Sequence, residues 1–203
     1  MIKTASFLTD IAAQNGLRAE SLFFPDCELD PAAIKTVMIN EVPPKNPDDW
    51  FYGAAPDREN MRTAIGLFAA AGATVNGMAD INGMGIYITV AVKSQKTGYF
   101  VEDDVFKSHL PLLKSELSLF PNLKAVMLMG DVAKKAFNAI IKNEKGKNII
   151  PSKPTGGIRQ NEYFWGGIRV FPSYIMTGKN LLIEPFKRDC VSDDIRRMLE
   201  IIK

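Results

Sequence analysis

Cysteine is scarce in this chain: only Cys27 and Cys190 occur, far apart and at no metal-ligand spacing. That scarcity excludes a disulfide scaffold, and a chain of 203 residues can bury roughly 70% of the surface its unfolded form exposes without such a staple. No apolar run approaches the roughly 20 residues of a membrane span, and the one within residues 1–10 is too short for a signal peptide. A cytoplasmic protein with reduced thiols and no membrane partner is therefore expected. Internal repeats and low-complexity tracts are missing too, which excludes coiled coil, collagen and disorder. What remains is 46% apolar and 24% charged, the composition of an ordinary globular protein, read as one domain over residues 1–203 that acts as a monomer.

Net charge is only +2, but it is unevenly spread. Residues 1–100 hold 8 basic and 11 acidic side chains, whereas residues 101–203 hold 17 basic and 12 acidic. The excess is densest at 142–159, where Lys142, Lys145, Lys147, Lys153 and Arg159 face only Glu144. Such a patch is either the footprint of a polyanion or a solvated loop.

Helical spacing of Phe7, Leu8, Ile11 and Ala12 predicts a first helix over 4–13, ending at Asn15-Gly16. Short apolar runs at 36–39, 87–92 and 125–129 predict buried strands. Helices are predicted over 61–71, 103–119, 132–141 and 193–202, with Pro111 as an alternative start for the second of these and Asp131 as the N-cap of the third. Residues 143–157 read as a long surface loop, and 158–165 as the first arm of a hairpin turning at Gly166-Gly167. Continuous apolar strands alternating with helices indicate a short, mainly parallel central sheet covered on both faces, a three-layer α/β/α sandwich. In such folds ligands bind beyond the carboxyl ends of the strands, which directs attention to residues 40–53, 90–97, 130–131 and 174–182.

Four of these segments, in order, carry a resemblance. The first is Met38-Ile39-Asn40-Glu41-Val42-Pro43-Pro44 followed by Phe51-Tyr52-Gly53, and the second is Tyr87-Ile88-Thr89-Val90-Ala91-Val92-Lys93-Ser94. The third runs from His109-Leu110-Pro111 through Glu116 to Gly130-Asp131-Val132-Ala133, and the fourth is Val170-Phe171-Pro172-Ser173-Tyr174-Ile175-Met176-Thr177. Together they resemble the uracil-DNA glycosylase superfamily, nearest to its iron–sulfur branch, over roughly residues 36 to 200. That family has Gly-Glu-Ala-Pro-Gly in the first segment, Tyr-Ile-Thr-Asn-x-Val-Lys-Cys in the second and Pro-Thr-Tyr-His-Pro in the fourth. Here Asn40 and Pro44 replace glycines, Val90 the asparagine, Ser94 the cysteine, Ile175 the histidine and Met176 the proline.

The resemblance implies a DNA partner and hydrolysis of the N-glycosidic bond of a base flipped out of the helix. Glu41 would be the carboxylate that positions water or steadies an oxocarbenium-like sugar, and Phe51 would stack on the base. Pro43, Val90, Tyr174, Ile175 and Thr177 would line the base site. Two readings remain open for Glu41, the catalyst or a carboxylate capping a turn, and two for Phe51, stacking or core packing. Asp48 and Asp49 lie close enough to substitute for Glu41 or to be merely solvated. Val90 offers no hydrogen bond to a base edge and Ile175 none to a leaving oxygen, so Thr177 or backbone groups would have to compensate. Gly178-Lys179-Asn180-Leu181-Leu182 falls where the family inserts an apolar wedge, with Lys179 meeting phosphate and Leu181 or Leu182 entering DNA, or with the leucines in the core. Gly156-Gly157 beside Lys153 and Arg159 either cradles phosphate or forms a loop.

A conventional cluster needs four cysteines, and only Cys27 stands near a ligand position, with Ser94 and His109 at two others; no cluster, metal or other cofactor is expected. His109 reads as a helix-start residue instead of a catalyst. Three functions remain: a base-excision enzyme, an inert nucleic-acid or nucleotide binder on the same scaffold, and an enzyme acting on another small molecule in an apolar pocket.

Overall fold

Three short strands with every side chain buried form the centre of the protein: β3 (Thr36–Asn40), β4 (Ile86–Val90) and β5 (Ala125–Met129). A computed structural model describes residues 1–178, 181 and 184–203. β3 lies parallel to both β4 and β5, pairing Met38 with Ile88 on one side and with Met127 on the other. β7 (Ile168–Ser173) extends the sheet in parallel beside β5, and β6 (Tyr163–Trp165) closes that edge in antiparallel pairing. The order β4-β3-β5-β7-β6 makes a mainly parallel five-stranded sheet, and a separate two-stranded pair joins β1 (Ile2–Lys3) to β2 (Glu28–Leu29).

The period-two alternation of these strands sends their side chains to two cores. Met38, Ile86, Ile88, Val90, Met127 and Met129 pack under α2 (Glu59–Ala70), α3 (Met78–Gly83) and α6 (Pro185–Ile202). Val37, Ile39, Tyr87, Val126, Leu128 and Val170 pack under α4 (Asp103–Leu119) and α5 (Asp131–Lys145), with α1 (Thr4–Gln14) resting on α4. Helices thus cover both faces of the sheet, an α/β architecture compatible with three layers.

α4 spans 103–119 as expected and continues through Pro111, because the carbonyl that loses its donor belongs to Lys107 on the exposed face, where water can replace it. Several other elements differ from the sequence expectation. α6 starts at Pro185, two turns before the expected Asp193, since Pro occupies the first helical turn without loss and the charged residues after it hide the apolar stripe. α3 is a six-residue helix too short to show a period. Residues 143–157 are not a free loop: α5 continues to Lys145, and Ile150 is buried. Asn138 grips this segment, accepting from Ile149 and Ile150 N–H at 3.1 and 3.0 Å and donating to Ile150 O at 2.7 Å. The hairpin forms as expected but its first arm is only β6, with Gly166 and Gly167 both at positive φ in the two-residue turn.

Two buried ionic networks tie the layers. Lys93 pairs with Glu116 of α4, and Glu116 also accepts from Tyr87 OH at 2.8 Å and Thr89 Oγ1 at 2.7 Å; all of it is shielded from water. Arg159 binds Asp194 of α6 at 2.9 Å, and Ser173 at the end of β7 donates to the same carboxylate at 2.6 Å.

Candidate functional site

β3, β5 and β7 end side by side, and the residue after each becomes a different wall of one cleft: Glu41 after β3, Gly130 after β5, Tyr174 and Ile175 after β7. From β3 the chain crosses to β4 on one side and then to β5 on the other, so the connections diverge at the β3/β5 gap. α2 and α3 leave on one face and α4 on the opposite face, which opens a crevice at the carboxyl ends of the strands. The cleft holds about 850 Å³ and is also lined by Lys45, Lys96, Thr155, Thr177 and Lys187.

Glu41 is fixed from both ends. Its carbonyl accepts from Val92 N–H at 3.1 Å, so the ladder between β3 and β4 continues past the last strand residues. Its carboxylate Oε1 accepts from Val132 N–H at 3.0 Å, in the first turn of α5. This corrects the expectation for Asp131: Gly130 is the N-cap residue, Asp131 points outward to Lys134 at 2.7 Å, and the capping acceptor comes from Glu41. Glu41 is thus a cap, on α5 and not on the turn that follows it, and it also faces the cleft. Burial pushes its carboxyl above the ordinary glutamate value, and the N–H groups of Val132 and Asp131 offset only part of that rise.

Gly130 makes the arrangement possible. Its φ of +108° favours glycine, and a Cβ there would lie 2.4 Å from Glu41 Oε1 and 2.6 Å from Ile175 Cγ1. On the far wall, Lys134 links Asp131 to Thr155 Oγ1 at 2.9 Å, holding the turn that carries Gly156. A Cβ on Gly156 would meet Tyr174 OH at 2.8 Å, so this turn packs directly on the tyrosine. Lys187 Nζ lies 5.7 Å from the centre of the Tyr174 ring. A second groove of about 670 Å³ shares Asp131 and Pro154 with the cleft and adds Lys134, Lys135, Lys142 and Lys153. Lysines therefore outnumber carboxylates along the joined surface.

The cleft brings together Glu41, Tyr174, Ile175, Thr177 and Leu181 from the sequence expectation. Phe51 is 1% exposed and packs edge-on to Trp50 in the core under α2, and Val90 and Pro43 are likewise buried away from the cleft wall. Leu181 is 3% exposed and forms floor instead of projecting outward. Lys179 and Leu182 lie outside the described residues. Asp49 caps α2 by accepting from Glu59 N–H at 3.0 Å, and Arg159 faces inward to Asp194, so neither serves the cleft. His109 sits in the second turn of α4 with Nδ1 2.7 Å from Val105 O, and burial holds its pKa below the ordinary value. Among the described residues no group of three His, Cys, Asp or Glu side chains is placed to hold a metal ion.

Lys45, Lys96 and Lys187 escaped sequence reasoning, because a surface lysine follows no period and belongs to no motif. Their only signal was position: Lys45 and Lys96 fall within the strand-end segments 40–53 and 90–97. Compared with the models of known protein families and with curated proteins, the chain matches none.

Proposed function

We propose that this protein binds DNA in the cleft at the β3/β5 gap and hydrolyses the N-glycosidic bond of a damaged or deaminated base, as its resemblance to the uracil-DNA glycosylase superfamily implies. The observation that carries the reading is Glu41, a carboxylate held by a helix N-terminus on the wall of a lysine-rimmed cleft. Lys45, Lys96 and Lys187 meet phosphates, and the cleft volume accommodates one flipped nucleotide. Glu41 in its ionised form then orients water and steadies positive charge as the bond from sugar to base lengthens. Water adds to the sugar carbon, and the base leaves with the electron pair of the broken bond and takes up a proton. Tyr174 is the aromatic on the cleft wall, so the stacking role falls to it in place of Phe51. Among the described residues, the hydroxyls of Thr177, Thr155 and Tyr174 offer neutral side-chain donors to the base.

One observation favours a second reading, an inert nucleic-acid binder on the same scaffold. Ile175 is 40% exposed in the cleft where the chemistry calls for a donor to the leaving oxygen. Release of labelled base from single- and double-stranded oligonucleotides containing uracil, hypoxanthine or xanthine separates the two. A glycosylase releases one of these bases, and Glu41→Gln lowers the rate by roughly 100-fold or more. Binding without release, indifferent to Glu41→Gln, overturns the enzymatic reading.

A further inference from the structure

The loop after β4 carries two large aromatic side chains that the core does not use. Tyr99 is 84% exposed and Phe100 78% exposed, and their rings meet edge to face with centroids 4.7 Å apart at 85°. Burying neither ring is unfavourable for an isolated protein, and adjacent exposed aromatics mark a surface that contacts something else.

Their position narrows what that is. Lys96, a cleft-lining residue, donates to Tyr99 O at 3.2 Å, and its ammonium lies 5.9 Å from the centre of the Tyr99 ring. Gln95 donates to Lys45 O at 3.0 Å, which joins this loop to the one that carries a second cleft lysine. The aromatic pair thus adjoins the cleft through Lys96, and its loop is tied to the one that carries Lys45. The nearby Asp103 carboxylate is met by Lys135 at 3.2 Å. Ring faces beside backbone-binding cations match the chemistry of unpaired nucleotides, which present open π-faces and phosphates together. A duplex offers its edges and backbone but keeps its base faces stacked on one another.

We infer that Tyr99 and Phe100 form a stacking platform for unpaired bases flanking the nucleotide in the cleft, which makes single-stranded nucleic acid the preferred substrate. The inference rests on the nucleic-acid reading of the cleft but not on its chemistry.

Fluorescence anisotropy with a labelled 15-nucleotide oligo(dT) and a duplex of the same length tests it. The protein is expected to bind the single strand more tightly, and Tyr99→Ala/Phe100→Ala is expected to weaken that binding about tenfold or more while changing duplex binding little. Phe164→Ala serves as a control, since Phe164 is exposed on β6 at the opposite sheet edge. Equal affinity for both strands, or a double variant with unchanged single-strand affinity, overturns the inference. If base release is then still observed, the glycosylase reading stands alone. Single-strand binding that depends on the pair, without base release, upholds the platform and removes the chemistry. Absence of binding to either oligonucleotide overturns both, and leaves a protein partner for the aromatic pair.

Discussion

Glu41 caps α5 with the same carboxyl that faces the cleft, and the chemistry of that group sets how the protein should respond to acid. Its folded pKa stands above the ordinary value of 4.5 because burial disfavours the anion. The folded state therefore holds this proton more tightly than the unfolded chain does. The resulting contribution to stability is fully present below the unfolded pKa and is lost as pH rises through the folded one. In the proposed reaction activity runs the opposite way, since water activation by Glu41 would need the anion. Base release is expected to rise with pH through a midpoint above 4.5, and a pH–rate profile checks it. Over the same interval, wild type should lose thermal stability relative to Glu41→Gln, which keeps an acceptor for Val132 without the charge. At this scale the sequence was partly readable. Glu41, Tyr174 and Ile175 follow strands whose apolar runs mark their ends. Val90 was assigned from its place in a motif, although its phase with Ile86 and Ile88 already puts it on the core face beneath α2.

Among elements, the join between β4 and α4 is open to disruption by a single change. Lys93 and Glu116 are both removed from water, and the pair is completed by Thr89 and Tyr87. Lys93→Met leaves Glu116 buried without its cation and is expected to destabilise the protein by about 3–5 kcal/mol. Replacing both partners with apolar residues of similar volume should recover much of that loss. Urea unfolding of the single and double variants measures the difference. Strands β3, β4 and β5 were readable because burial on both faces makes them continuous apolar runs of about the right length. The start of α6 was not readable, because its first turns carry Lys187, Arg188 and Asp189 and show no stripe. α5 could be located but not its cap, since the capping acceptor lies 91 residues away in sequence.

Across the whole molecule, charge sorts by depth as well as by sequence. The basic stretch at 142–159 reads as one patch, yet Arg159 is committed to Asp193 and Asp194 inside, while Lys142 and Lys153 line the groove beside the cleft. Arg159→Ala should therefore behave as a folding lesion, leaving the buried Asp194 carboxylate with Ser173 but without its nearest cation, at a loss of about 3–5 kcal/mol in thermal or urea unfolding. Lys142→Ala/Lys153→Ala should melt like wild type but bind DNA more weakly. Its plot of log affinity against log salt should flatten by about 0.7 to 0.9 for each phosphate contact removed. Equal slopes would detach the second groove from nucleic-acid binding.

The reach of Glu41 across the β3/β5 gap also bears on descent. A glutamate that holds the first turn of α5 is useful for folding alone, so a lineage without catalysis would have reason to keep it. Gly130 would be inherited with it, as the residue that leaves room for the carboxylate. Ancestry of the chemistry is better traced through positions that only a ligand requires. Ile175, 40% exposed in the cleft, carries no such folding bond and is freer to vary.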